Sequence, residues 1–169
     1  NGDATPLQFA NVEAVLYGMD LVARYEISSQ WILDATLNYV RGERDDIEDN
    51  LYRIAPLNGR VALTYSRSKW SVTTEAILVD EQDHLSREIV LNEPRSVNSV
   101  TPGYGLLNLY GEWRGYEGVQ VRVGVENLFD KAYTSHLAGF NRTTNSDVPF
   151  GQRLPGNGRN LFAQVAYTW

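Results

Sequence analysis

Two histidines, His84 and His136, are the side chains of this chain best suited to bind a metal ion or a haem. Imidazole nitrogen is a common ligand for zinc, copper and iron. The chain contains no cysteine, which excludes thiolate-bound zinc, iron–sulfur clusters, a cysteine nucleophile and a disulfide scaffold. Each histidine could therefore contact a metal or a haem, as a hypothesis that rests on residue type alone.

Carboxylates concentrate in one acidic segment, which contains Asp45, Asp46, Glu48 and Asp49. Their spacing lacks the pattern and the invariant glycine of a calcium-binding EF-hand loop, so we interpret them as a solvated loop. The glycine-rich stretch 151–158 lacks the Gly-Lys-Ser/Thr of a phosphate-binding loop. Neither a Ser/His/Asp set nor a catalytic carboxylate pair can be assembled. The sequence thus predicts no enzyme and no cofactor.

Length, net charge and hydropathy limit the number of domains, the partners and the kind of membrane segment that this chain can have. The 169 residues allow one domain, and the net charge of −6 argues against nucleic acid as a partner. The longest apolar runs, such as 14–17, are far shorter than the roughly 20 residues of a membrane-spanning helix. The mean hydropathy of −0.35 is typical of a soluble chain. A membrane β-barrel also has a low mean hydropathy, however, because its strands alternate polar and apolar residues.

The elements that must position these residues are strands. Polar and apolar residues alternate along seven segments, and a period of two is typical of β-structure. The predicted strands are 14–27, 31–40, 57–66, 70–79, 104–113, 119–126 and 161–169. Short turns (28–30, 66–69, 114–118) alternate with long connections (41–56, 80–102, 127–157).

This pattern favours an all-β, antiparallel transmembrane β-barrel over a soluble fold. Long strands joined by short turns at one end and long loops at the other are typical of such barrels, as are aromatic residues at the strand ends. The second face carries charges suited to a lumen: Arg24, Glu26, Glu75, Glu112, Arg122 and Glu126. The alternative is a soluble β-sandwich or small barrel that binds a ligand or partner, since seven strands also suit an immunoglobulin-like fold. A barrel hydrolase ranks last because it lacks a nucleophile and a base.

The C-terminal segment ends with an aromatic residue on its apolar face. Such an ending resembles the C-terminal signal by which bacterial outer-membrane barrels are recognised for insertion. The residues that carry this resemblance are Leu161, Ala163, Val165, Tyr167 and Trp169.

Two further motifs point to one family. The segment 124–133 resembles the "V-x-N-L-F-D-x-x-Y" motif of TonB-dependent outer-membrane receptors, and 151–162 is similar to a second motif near the end of those receptors. The resemblance is specific over 104–169 and looser over 57–64 and 17–20. The matching motif residues are Asn127, Leu128, Phe129, Asp130 and Tyr133.

The resemblance implies a barrel of 22 strands with an N-terminal plug, of which 1–169 would form about seven C-terminal strands. It implies uptake of a scarce ligand, such as a ferric siderophore or another metal complex, with energy delivered by TonB through the plug. The expected partners are outer-membrane lipid, the plug, the remaining strands and the ligand. Loops 41–56, 80–102 and 127–157 would then be extracellular, and the C-terminus periplasmic.

Ligand contacts are expected in the three long loops, from aromatic, arginine and histidine side chains. Position alone motivates this hypothesis, and the sequence does not identify the ligand. The candidates are Tyr52, Arg53, His84, Arg87, Arg95, Tyr133, His136, Phe140 and Arg142.

Overall fold

The computed structural model describes residues 11–86 and 99–169, which form one antiparallel sheet of seven strands in sequence order. Each strand pairs with the strand that follows it along the chain. The strands are β1 (Ala14–Glu26), β2 (Trp31–Arg44), β3 (Asn58–Ser66), β4 (Trp70–Val79), β5 (Tyr104–Trp113), β6 (Val119–Glu126) and β7 (Asn160–Tyr167). No helix in the two described ranges is long and apolar enough to cross a membrane.

The seven predicted strands are confirmed; three of their ends shift by one residue, and the ends of β2 and β7 shift by more. β2 continues to Arg44, so the expected boundary of the first loop at residue 41 was wrong. The acidic residues around Arg41 suggested a loop, but the long β1 pairs with this segment as far as Ala14 opposite Arg44. β7 ends at Tyr167 rather than at the last residue. The backbone N–H of Thr168 nevertheless donates to Gly118 at 2.8 Å, which holds the chain end beside the preceding turn.

The two faces of the sheet have opposite character. Large apolar side chains cover one face and are exposed, with 71% of Leu161 and 70% of Val165 accessible. Ala62, which is 2% exposed, is the only buried hydrophobic residue among those described. It pairs with Asp34 and Glu75 and therefore lies on the other, polar face. A soluble sandwich would bury the apolar face against a second sheet, so this single sheet argues against the soluble alternative.

Aromatic residues cluster at the end of the strands where the short turns lie. The ring centroids of Trp31 and Tyr65 are 4.7 Å apart, and those of Tyr65 and Trp70 are 5.5 Å apart. At the same end of the strands, the rings of Trp113 and Tyr116 meet edge to face, with 5.4 Å between their centroids. Amphipathic rings of this kind are typical of the interface between membrane and water.

A glycine on the polar face accommodates an aromatic side chain from the last strand. Gly124 on β6 lies opposite Phe162 on β7 and beside Tyr110 on β5. A Cβ atom at position 124 would come within 2.4 Å of the Phe162 ring and 2.8 Å of the Tyr110 ring. Glycine is therefore required there so that the large side chains can pack across the β5–β6–β7 ladder.

Candidate ligand-binding site

The three long loops contact one another at the same end of the strands. We name them loop 1 (45–57), loop 2 (80–103) and loop 3 (127–159). Loops 1 and 2 are joined by hydrogen bonds from Ser86 to Asp49 at 3.1 Å and from Asn50 to the Leu85 carbonyl at 3.2 Å. The Gln82 amide also donates to the Ile54 carbonyl at 2.9 Å. Since Gln82, Ser86 and Asp49 are all buried, these bonds form inside the loop cluster.

Loop 3 is attached to both other loops around His136. Arg53 of loop 1 donates to the Leu137 carbonyl at 3.0 Å, and Arg153 donates to the adjacent His136 carbonyl. The imidazole Nδ1 of His136 lies 2.9 Å from the hydroxyl of Thr101 in loop 2. His136 is only 4% exposed. Burial, followed by the charges of Arg153 and Arg53, lowers the pKa of His136 to about 4, so its ring is neutral at pH 7.

The start of loop 3 is organised by the side chain of Asn127. Its Oδ1 accepts the Lys131 N–H at 2.8 Å, and its Nδ2 donates to the Lys131 carbonyl at 2.9 Å and the Asn157 carbonyl at 3.1 Å. The backbone of Asn127 is left-handed, with φ of 49°. Asparagine and aspartate tolerate this conformation better than other residues with a side chain, which explains an asparagine at this position.

The two family motifs meet at the base of loop 3. Asp130 Oδ1 accepts the Arg159 N–H at 2.7 Å, and the Gly156 N–H donates to the Tyr133 carbonyl at 2.8 Å. A Cβ at position 156 would lie 2.2 Å from the Tyr133 ring, so only glycine allows this approach. We call this group the loop clasp, and it comprises Asn127, Asp130, Tyr133, Gly156, Asn157 and Arg159.

A chain of hydrogen bonds connects the loop clasp to the polar face. Glu75 on β4 is 7% exposed and accepts from Arg60, from Asn108 Nδ2 at 2.8 Å and from the Tyr110 hydroxyl at 3.3 Å. Asn108 in turn accepts the Asn127 backbone N–H at 2.8 Å. A buried carboxylate needs such partners to offset its lost hydration. The carboxylate and the base of loop 3 are thereby held in one network.

Other charges on the polar face are paired across neighbouring strands. Arg24 lies 3.3 Å from Asp34, Arg122 lies 3.8 Å from Glu112, and Asn160 donates to Glu126 at 3.0 Å. A depression of about 450 Å³ on this face is lined by charged residues of these pairs, namely Asp34, Arg60, Glu75, Glu112, Arg122 and Glu126. The expected charged surface is therefore present on this face.

The residues predicted to contact a ligand differ in exposure and in their neighbours. Arg53 and Arg142 are exposed, Tyr52 is half-buried, and Phe140 lies under the Arg153 guanidinium at 4.5 Å from its ring centroid. His84 is exposed beside Asp83, with 2.6 Å between Nδ1 and Oδ1, and borders a cavity of about 280 Å³ between loops 1 and 2.

Tyr133 belongs to the loop clasp, and its ring packs at a tilt against that of Tyr104, with 4.5 Å between the ring centroids. Arg87 and Arg95 lie outside the described residues. The structure brings Arg53, His136 and Phe140 together around Arg153, and leaves His84 apart from them. Within the described ranges, no group of three or more His, Asp or Glu side chains is arranged to hold a metal ion.

Arg153 and Thr101 were not among the residues singled out from the sequence. Arg153 follows Gly151 inside the second motif and could have been chosen because arginine was already a criterion for loop candidates. Thr101 gives no comparable signal, since its role depends on the fold of loop 3 around His136.

Comparison with known proteins identifies the family. The model described as "TonB dependent receptor-like, beta-barrel" matches residues 1–128. The TonB-dependent heme receptor A of Haemophilus influenzae is 28% identical over 87% of this chain and 20% of its own length.

Solved structures with the same fold include the copper transporter OprC, with 31% identity and a TM-score of 0.82 over 94% of this chain and 24% of that protein. The ferric citrate transporter FecA has a TM-score of 0.68 at 18% identity, over 91% of this chain and 24% of FecA. The chain thus spans a fifth to a quarter of these relatives. It belongs to the family of TonB-dependent outer-membrane receptors and corresponds to part of their β-barrel.

Proposed function

We propose that residues 1–169 form the C-terminal part of an outer-membrane receptor barrel, which imports a scarce metal complex with energy delivered by TonB. The observation that carries this proposal is the character of the two faces of the sheet. Large apolar side chains are exposed on one face from β1 to β7, as lipid requires, whereas the buried side chains of the strands, Ala62, Glu75 and Asn108, lie on the opposite face. In a closed barrel that polar face would line the lumen and meet a plug.

In the proposed orientation, the three long loops are extracellular and the short turns and C-terminus are periplasmic. The contacts among the loops support this arrangement, because the loops form one surface at a single end of the strands. The apolar residues Leu161 to Trp169 would then serve as the insertion signal, and the loop surface would present ligand contacts together with the plug. We propose no catalytic role, since the family consists of receptors and transporters.

A metal complex is the proposed cargo because relatives with the same barrel bear such names. The heme receptor and the copper transporter share 28% and 31% of residues with this chain. We propose that loops 1–3, together with the parts of the receptor outside residues 1–169, select among a siderophore complex, haem and copper.

Uptake into cells tests the proposed function. A strain that lacks the gene is complemented with the intact protein and supplied in turn with ferric siderophores, haemin or copper that carry a radioactive metal. We expect the intact protein to restore uptake of one class of cargo, and we expect deletion of TonB to abolish it. Uptake that is unaffected by loss of the gene for every cargo, or that persists without TonB, would contradict the proposal.

A further inference from the structure

The short turn between β3 and β4 is flanked by an aromatic cluster on the apolar face, which comprises Trp31, Tyr65 and Trp70. Tyr65 pairs with Trp31 on β2 and with Val72 on β4, and its ring centroid lies 5.5 Å from that of Trp70. Both tryptophans are exposed. In a membrane barrel, rings at the ends of the strands lie at the level of the lipid headgroups, so a headgroup would lie beside this turn.

The guanidinium group of Arg67 is attached to the aromatic cluster. Its Nε donates to the Tyr65 hydroxyl at 2.7 Å, and its central carbon lies 5.7 Å from the centroid of the same ring. Arg67 is exposed, and none of the ion pairs among the described residues includes it. The bond to Tyr65 uses the Nε–H, so the donors of both terminal nitrogens are available to an anion.

A cavity of about 200 Å³ lies between this turn and the residue that follows β5. The backbone N–H of Arg114 donates to the Lys69 carbonyl at 2.8 Å, which holds the two segments together. The residues that line the cavity are mainly serines and basic residues, namely Ser66, Ser68, Ser71, Arg67, Lys69 and Arg114.

The lining of this cavity carries an excess of positive charge. Arg114 forms an ion pair with Glu112, whose carboxylate is the one negative charge in the lining. Lys69 is exposed and, like Arg67, takes part in none of the ion pairs among the described residues. Two such cations beside serine hydroxyls suit an anion with several acceptor oxygens, and a phosphate group has that chemistry.

The position of the cavity favours the phosphate of a lipid over a phosphate in solution. Trp70 in its lining belongs to the apolar face, whereas Ser71 and Glu112 pair on the polar face. The cavity therefore lies at the end of the strands, where the two faces meet. A headgroup held there would leave its acyl chains beside exposed apolar side chains of the same strands, such as Val72.

We propose that Arg67 and Lys69 bind the phosphate group of an anionic phospholipid, with the aromatic cluster beside the headgroup and the acyl chains along the apolar face. This inference rests on the proposed function for the membrane and for the leaflet, which is the periplasmic one in the proposed orientation. Each basic residue near a membrane surface raises the affinity for anionic lipid about fivefold. A zwitterionic phospholipid is bound less well, because its own cation offsets the charge of the phosphate.

Photocrosslinking in detergent tests this site directly. The intact protein is mixed with phosphatidylglycerol that carries a photoreactive diazirine in its headgroup, and the labelled residues are identified by mass spectrometry. We expect labels within 65–71 and 112–116. Unlabelled phosphatidylglycerol at about ten times its Kd should lower this labelling about tenfold by mass action. Phosphatidylcholine with the same acyl chains should compete less, and glycerol phosphate at the same concentration should not compete.

Three results would overturn the proposal. The first is labelling at other positions but not in these two segments, and the second is equal competition by phosphatidylcholine. The third is competition by glycerol phosphate as strong as that by phosphatidylglycerol, which would identify a site for soluble phosphates. The assay requires no transport, so TonB-dependent uptake by a protein that is not labelled here would refute this site and leave the proposed function intact.

Variants of Arg67 test the role of its charge. Arg67→Gln should raise the lipid concentration for half-maximal labelling about fivefold, whereas Arg67→Lys keeps the charge and should raise it less. Arg24→Gln is the matched control, because Arg24 lies near the same end of the strands but is paired with Asp34 at 3.3 Å on the polar face. It should be labelled as the wild type is. With melting temperatures unchanged, a wild-type affinity in Arg67→Gln, or equal losses in both Arg67 variants, would contradict the site.

Discussion

Asn108 on β5 accepts the backbone N–H of Asn127 at 2.8 Å, and the same asparagine donates to Glu75 at 2.8 Å. One buried amide thus joins the polar face of the sheet to the first residue of loop 3. The side chain of Asn127 extends the connection to the other end of that loop, at Asn157. Both ends of loop 3 are therefore fixed relative to Glu75.

Replacement of Asn127 should loosen loop 3. Asn127→Ala removes three side-chain hydrogen bonds of about 1 kcal/mol each and places alanine in a left-handed conformation that costs about another 1–2 kcal/mol. We expect faster hydrogen exchange of the Lys131 and Arg159 amides. Asn127→Gly loses the same bonds without the conformational cost and should fall between the wild type and the alanine variant. Exchange that is unchanged in both variants would rule out the loop clasp.

The carboxylate of Glu75 should be coupled energetically to Arg60. Glu75→Gln weakens charge-assisted hydrogen bonds at a buried site, and we expect it to cost about 2–3 kcal/mol of unfolding free energy. Arg60→Gln should cost only about 1 kcal/mol, because the arginine side chain is 43% exposed. Urea unfolding of the two single variants and the double variant gives the interaction energy. If the double variant loses the sum of the unfolding free energies that the two single variants lose, the proposed coupling of Glu75 and Arg60 is contradicted.

The pH should control the attachment of loop 3 through His136. The folded-state pKa of about 4 lies below the ordinary value of 6.5, so the unfolded or opened loop binds a proton more readily. The stabilisation by neutral His136 is therefore complete above about pH 6.5 and is lost as the pH falls towards 4, by up to about 1.4 kcal/mol per pH unit.

Hydrogen exchange at the Ala138 and Leu154 amides measures this effect. Both amides donate within loop 3, to Ser135 and Gly139 respectively. The free energy of opening should fall between pH 6.5 and 4 in the wild type and change less in His136→Asn. Identical pH profiles for the two proteins would refute the role of His136.

The orientation of the sheet can be tested with single cysteines, because this chain has none of its own. Asn145→Cys lies in the exposed part of loop 3, and Ser68→Cys lies in the short turn between β3 and β4. A membrane-impermeant maleimide added to intact cells should label position 145 and reach position 68 only after the outer membrane is opened. Labelling of position 68 alone in intact cells would reverse the proposed orientation.

The strands could be predicted from the sequence because their signal is local. Alternation along β6, with Val119 to Val125 on one face, needs no knowledge of the rest of the fold. The end of β2 was less predictable, since Arg41 to Arg44 is strand only because β1 is long enough to pair with it. The apolar face could be predicted because apolar residues recur at every second position of the strands, although Leu16 and Val22 of β1 are also apolar and exposed on the other face.

The loop contacts could not be predicted from residue type. Arg53 and Leu137 are separated by 84 positions, and nothing near either residue specifies the other. The motif Asn127–Tyr133 was recognised as a family signature, but its physical reason, contact with Gly156 and Asn157, required the structure. His136 was expected to be a ligand contact, and that role remains a prediction, although the residue is buried against Thr101.

The central claim, that one face of the sheet meets lipid and the other meets an aqueous lumen, is tested most directly by spin labels on adjacent residues. Gln164 and Val165 on β7, and Asp20 and Leu21 on β1, point to opposite faces of the sheet. Each is replaced by a labelled cysteine in the intact protein, reconstituted in bilayers, and exposed to oxygen or to a water-soluble nickel complex. We predict that oxygen relaxes the labels at 165 and 21 more strongly, whereas nickel relaxes those at 164 and 20. Equal nickel access at all four positions, or the reverse pattern, would contradict the membrane barrel.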